Sequence, residues 1–187
     1  LGSLRLRQDY LIATGLLAPY EDKESIPGSM KQLALARIKQ LVAHEIGHTI
    51  GIQHNFLASS FDRASVMDYP HPTLKLNDLN QIEWENAYDT GIGEWDKISV
   101  AYGYQDFPNN VNEELALEEI IQNGIKRGIT FITDQDSRSI GSAHPGSHLW
   151  DNGENAANEL QNLRKSRKVS VESVVDKNIR FGEPEWD

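Results

Sequence analysis

His44-Glu45-Ile46-Gly47-His48-Thr49-Ile50-Gly51-Ile52-Gln53-His54 is the stretch on which the reading of this chain turns. Two imidazoles four residues apart lie about 40° apart around a helix and one turn along it, so both can reach one ion from a single rigid element. The helix that carries them is predicted to begin after Pro27-Gly28, with Ser29 as its cap and Gln32 at the capping-box position, and to run through Leu41 and Val42 to Thr49. Gly51 is the expected stop, because glycine enters the left-handed conformation without a steric cost. The chain can then turn back and bring His54 into reach as a third nitrogen ligand, leaving a fourth tetrahedral position for water. An ion held in this way brings the pKa of that water towards neutrality. Glu45, beside the ligands, is placed to take its proton and pass it to a leaving amine, so the chemistry is amide hydrolysis.

Isolated histidines are usually structural or on the surface, but that explanation fails here on numbers. At ordinary residue frequencies the full pattern H-E-x-x-H-x-x-G-x-x-H should arise by chance about once in 10⁵ chains of this size, whereas H-E-x-x-H alone is far less specific. Gly47 adds a second signal. Inside a helix it costs roughly 1 kcal/mol against Ala, which implies that something must approach this turn closely.

With these residues the chain resembles the metzincin zinc metallopeptidases, whose extended zinc motif is followed by a methionine-containing turn. Ser65-Val66-Met67-Asp68-Tyr69 fits that turn. The resemblance implies that Met67 forms an apolar floor beneath the three imidazoles. It also implies that Tyr69 takes the place of the tyrosine that, in some branches, ligates zinc or stabilises the oxyanion. A narrower similarity is to the bacterial, Bacteroidetes-type Met-zincin family of extracytoplasmic zinc-dependent metalloproteases, and it extends from about Arg5 to about Leu163. That similarity implies a periplasmic, cell-surface or secreted location. Asn55 follows the third histidine where better-known branches have other residues, so their substrate preferences do not carry over. Metzincins have an upper subdomain of about a hundred residues before the zinc helix, with a sheet edge that binds extended substrate. Only Leu1 to Ala43 precede His44 here. The expectation is therefore a piece of a longer protein, holding the zinc helix and the lower half of the cleft, with an upstream domain of the same protein as a partner.

Bulk properties are those of an ordinary globular protein. The chain has 187 residues, 39% hydrophobic and 25% charged, enough for a single domain over residues 1–187 with a real core. A formal net charge of -10 disfavours nucleic acid as a partner, since phosphate binding relies on clustered Lys and Arg. The basic cluster Arg164 to Lys168 reads as a solvated helix face. The absence of cysteine excludes disulfides, Cys-rich zinc folds and thiol nucleophiles. The apolar stretch Leu11 to Ala18 is too short to span a bilayer, so no membrane insertion is expected.

Elsewhere the grammar is mostly helical. Asn77 is predicted to open a helix bearing Leu79 and Ile82, and Trp95, Ile98, Ala101 and Tyr102 mark another. Asn112 caps a third, with Glu113 and Glu114 in its first turn and Gly124 at its end, and a fourth covers Asn155 to Lys168. Ile129 to Thr133 is the clearest strand candidate, and little sheet is expected. His144 and His148 are separated by Pro145 and Gly146, which break the helix needed to align them on one metal, so they read as loop histidines. His71 can line the cleft wall by position but is no ligand. Asp134 and Asp136 alternate as in some calcium loops but lack the later bidentate Glu, so a cap or surface role is expected.

The fold class expected is α+β, predominantly α-helical. The function expected is a zinc-dependent endopeptidase acting on proteins or peptides, with His44, His48 and His54 holding Zn2+, Glu45 as base and Tyr69 assisting. A non-catalytic module that uses zinc for stability while serving in binding or assembly is the rival from another class. A zinc hydrolase of non-protein amides is a third possibility. The retained Glu45 favours the enzyme, since a structural site has no use for a base beside an open coordination position.

Overall fold

The computed structural model describes residues 2–17, 28–141 and 144–173. Its elements in chain order are α1 (Gly2–Leu17), α2 (Gly28–Thr49), a 3₁₀ turn (Ala58–Phe61), β1 (Lys75–Leu76), β2 (Ile82–Glu83), α3 (Glu94–Tyr104), α4 (Glu113–Lys126), α5 (Asp134–Arg138) and α6 (Ala156–Ser173). This is an α+β chain, mostly helical, with one two-stranded antiparallel sheet among the described residues. No helix among them is long and apolar enough to cross a membrane. Two compact units divide the chain. One takes the residues up to Leu41, Pro72–Thr90 and those from Ala157 onwards, and the other takes Val42–His71 and Gly91–Ala156.

The first unit has an apolar core of Ala13 from α1, Met30 and Leu33 from α2, and Ile82, Ala87 and Tyr88 from the hairpin and the segment after it. Along α2 the buried positions Met30, Leu33, Arg37 and Gln40 recur at the spacing of one helical face. Arg37 is buried because it is paired. Its Nε lies 3.4 Å from Asp9 Oδ2, and the Tyr88 hydroxyl donates to the same oxygen at 2.9 Å. In α6 the cluster Arg164 to Lys168 is exposed apart from Ser166, as the reading of a solvated face requires.

The helix expected from Asn77 is instead the turn between β1 and β2. The Asn77 side-chain oxygen accepts from the backbone N–H groups of Leu79 and Gln81, and Asn80 has a positive φ of 57°. Leu79 and Ile82 share helical spacing, but Leu79 is exposed while Ile82 is buried. An Asn side chain that satisfies nearby backbone donors competes with helix formation, and here that local turn chemistry wins.

In the second unit α3 packs against α4. Glu94 at the start of α3 pairs with Arg127 and Lys97, each at 2.5 Å, and these cations, Arg127 first, hold its carboxyl down to about 2. Asn112 caps α4 as expected, its side chain accepting from the Leu115 N–H at 3.1 Å. Gly124 is not the end of that helix. It is buried inside it, where a Cβ would come within 3.1 Å of Ile98 Cδ1, and the reversal falls at Gly128 with φ +76°. Close packing against α3, not helix termination, explains this glycine.

Candidate metal centre

α2 ends as the sequence reading requires, with Thr49 as its last residue and Gly51 at φ +84°. It begins at Gly28, one residue before the cap expected at Ser29. The close approach implied by Gly47 is made by Met67. A Cβ on Gly47 would run into Met67 Sδ, and Met67 is fully buried. The methionine of the 65–69 turn therefore lies against the helical turn between His44 and His48.

The three histidines of the motif meet. His48 Nε2 lies 3.1 Å from His44 Nε2 and 3.1 Å from His54 Nε2. Each ring is fixed from behind through Nδ1: His44 on the Val66 carbonyl at 2.8 Å, His48 on the Ile52 carbonyl at 2.9 Å, and His54 on Asp134 Oδ2 at 2.6 Å. Carbonyl oxygens only accept and the Asp134 carboxylate accepts here in the same way, so each Nδ1 carries the proton and each Nε2 is left to present a lone pair to the same point. Three such lone pairs repel one another unless a cation lies between them. Two nitrogens at 2.0–2.1 Å from a shared tetrahedral ion stand about 3.3 Å apart, so the observed spacing fits a small divalent metal. The ligand atoms of these three residues lie within 4.8 Å of one another, the one grouping of this kind among the described residues. Burial lowers the His44 pKa from the ordinary histidine value against the pull of its bond to the Val66 carbonyl, with the neighbouring imidazoles acting in the direction of burial, which favours the neutral form that metal binding needs. Glu45 is exposed on the same helical turn, and its charge acts on His44.

The turn that anchors His44 is itself clamped. Asp96, buried at the start of α3, accepts from Ser65 Oγ at 2.5 Å, from the Val66 N–H at 2.8 Å and from the Gly93 N–H at 2.6 Å. Asp68 accepts from the N–H groups of Tyr69 and Ser59, yet burial, with Asp151 adding to it, pushes its carboxyl up to about 7. Tyr69 brings its hydroxyl to 2.8 Å from His54 Nε2, while its ring packs on His54, Phe56 and Trp150.

Ile129 to Thr133 forms no ladder, which corrects the strand expectation. The segment is instead a strap bonded to the residue pair that follows the third histidine. The Phe56 N–H donates to the Ile132 carbonyl at 2.8 Å, Asn55 Nδ2 donates to the Thr130 carbonyl at 3.1 Å, and the Ile132 N–H donates to Asn55 Oδ1 at 3.3 Å. Asn55 is fully buried and replaces ladder partners with its side-chain amide. The strap delivers Asp134 to His54: the residue lies at the surface in the first turn of α5, as expected, and in addition its carboxylate accepts from the third histidine. Asp134 and His54 are 80 residues apart, and nothing local in the sequence links them.

A cavity of about 360 Å³ opens beside His48, His54, Thr133 and Asp134. A larger one of about 860 Å³ is walled by Ile50, Ile52, Trp95, Ile98, Tyr102 and Phe131 and includes no metal-ligating side chain. His144 and His148 do not join the centre. Both are exposed in a turn, where His144 Nδ1 accepts from the Gly146 N–H and His148 Nε2 donates to the Pro145 carbonyl. His71 is bonded through its backbone N–H to the Asp151 carbonyl.

An α-rich α+β fold that aims three histidines of H-E-x-x-H-x-x-G-x-x-H at one point defines a metal-binding class of the metzincin kind. Comparison with known families matches residues 27–187 to the Met-zincin family, and the chain belongs to it. The triad and the family together fit a zinc-dependent peptidase, with zinc as the cofactor. Comparison with curated proteins and with solved structures gave no match.

Proposed function

We propose that this protein is a zinc-dependent endopeptidase that hydrolyses protein or peptide substrates, with Glu45 as general base and then general acid. The observation that carries the reading is the convergence of three Nε2 lone pairs on one point, beside the helical turn that bears Glu45. Bound zinc supplies Lewis acidity that polarises the scissile carbonyl and acidifies water. Glu45, solvent-exposed beside the triad, takes the proton of the attacking water and delivers it to the amine nitrogen as the C–N bond breaks. The Tyr69 hydroxyl stands at the same centre, 2.8 Å from His54 Nε2, and donates a hydrogen bond to the oxyanion that forms on the substrate. Met67, packed beneath Gly47, is the Met-turn residue of this reading and supports the ligand-bearing turn from below. No side chain acts as a nucleophile, so no acyl-enzyme forms.

The test is cleavage of an internally quenched peptide library by the zinc-loaded chain and by Glu45→Gln, with bound zinc quantified in both. The variant is expected to keep its zinc while cleavage falls roughly 10²–10⁴-fold. Zinc bound by both proteins with cleavage by neither would overturn the peptidase reading in favour of a zinc-stabilised binding or assembly module. Hydrolysis restricted to non-peptide amides would keep the chemistry and change the substrate class.

A further inference from the structure

The three ligands differ in what stands behind them. His44 and His48 rest on backbone carbonyls, Val66 and Ile52, whereas His54 rests on the carboxylate of Asp134 at 2.6 Å. The first two rings leave a helix, whose backbone already limits where they point. His54 lies beyond Gly51 in a loop, with no helical frame to hold its ring. Its orientation therefore needs an anchor from elsewhere, and the strap bonded to Asn55 and Phe56 brings one, in a register set by the residue next to the ligand itself.

We propose that Asp134 is a positioning residue of the metal centre. It holds His54 with Nε2 facing His44 and His48, and it raises the affinity of the triad for zinc. The inference rests on the zinc-site reading and adds a fourth residue to it, one that touches the ligand and not the metal. The alternative is an ordinary surface ion pair, and the exposure of Asp134 decides what that would be worth. Its side chain is half exposed, so solvent screens the pair and its contribution to folding is small. A carboxylate behind a metal-ligating imidazole acts differently. It fixes the tautomer and the ring and increases ligand basicity, and its removal typically weakens metal affinity roughly 10–100-fold.

Zinc affinity measured by chelator competition on the full chain, for the native protein and for Asp134→Asn, Asp134→Ala and Asp134→Glu, tests this. Melting of each metal-free protein by circular dichroism and visible absorption of each cobalt-loaded protein accompany it. The Asn and Ala variants are expected to lose roughly 10–100-fold in zinc affinity with little change in metal-free melting, and to shift the cobalt bands. Glu should recover part of the affinity, because it keeps the charge at a longer reach. Affinities of Asn and Ala within about twofold of native would overturn the proposal, as would a fall in metal-free melting with zinc affinity and cobalt bands unchanged. If the native chain binds no zinc, the zinc-site reading itself has failed, and the Asp134 proposal with it.

Discussion

His44 and His48 come to the centre on one helix, four residues apart. His54 comes on a loop held by residues as far away as Thr130 and Asp134. The first half of the site needs little beyond hydrogen bonding along α2 to set the relative positions of its ligands. The second half exists only once Asn55 has bound the strap and the 65–69 turn has closed beneath the helix. Even the helix-borne half is not independent, since the Val66 carbonyl that fixes His44 sits in a turn clamped by Asp96. A helix can present the histidines, but distant groups hold the rings of His44 and His54, while His48 rests on Ile52 four residues on.

The largest effect that separates the two halves is expected at Asn55. Asn55→Ala leaves α2 intact and removes three side-chain hydrogen bonds, to the Thr130 carbonyl and from the Leu57 and Ile132 N–H groups. With buried backbone groups left without these partners, chemical denaturation should show a loss of about 2–3 kcal/mol. Zinc affinity should fall with it, because the strap carries Asp134. Unchanged stability would mean that the loop half holds itself together.

A smaller effect is expected on the helix half. Gly47→Ala gains roughly 1 kcal/mol of helix propensity, but its Cβ collides with the buried Met67 side chain, and overpacking of this kind costs about 1–3 kcal/mol. The net result should be destabilisation by about 1 kcal/mol in denaturant titrations. A stabilised variant would show that Met67 can move aside and that the turn is not pressed against the helix.

The smallest effect is a dependence on pH. Burial holds the Asp96 carboxyl above the ordinary carboxylate range, against the pull of its three hydrogen bonds. The folded chain therefore keeps this proton to higher pH than the unfolded chain does. The associated stability is whole below the ordinary carboxylate range and is lost as pH rises through the raised value. Asp96→Asn removes this slope, so the difference in melting temperature between native and variant proteins should shrink as pH rises across that window. A difference that does not vary with pH would exclude Asp96 as the source.

The ligand motif was legible because it is local. Four-residue spacing on a helix and a glycine able to turn left-handed after it are properties of a short stretch, as is the Asn112 cap of α4, and all of them appear in the structure. The misreadings have two causes, one local and one tertiary. Leu79 and Ile82 stand at helical spacing, but Asn77 satisfies the backbone donors after it and makes a hairpin. Ile129 to Thr133 has strand composition, but its partner is the side chain of Asn55 and not a strand. Gly124 resembles a stop, but Ile98 of α3 packs against it.

By itself, then, the sequence determined the histidine triad that could hold a metal ion, the helix that carries two of its members and the helical character of the chain. These depend on spacing and on backbone conformations that a few adjacent residues dictate. Only the tertiary structure decided that Met67 lies against Gly47, that Asp96 clamps the turn behind His44, and that Asp134 stands behind His54. Each of those contacts joins residues 20 or more positions apart. No local preference encodes them, because they form only where the packed chain brings residues distant in sequence into contact.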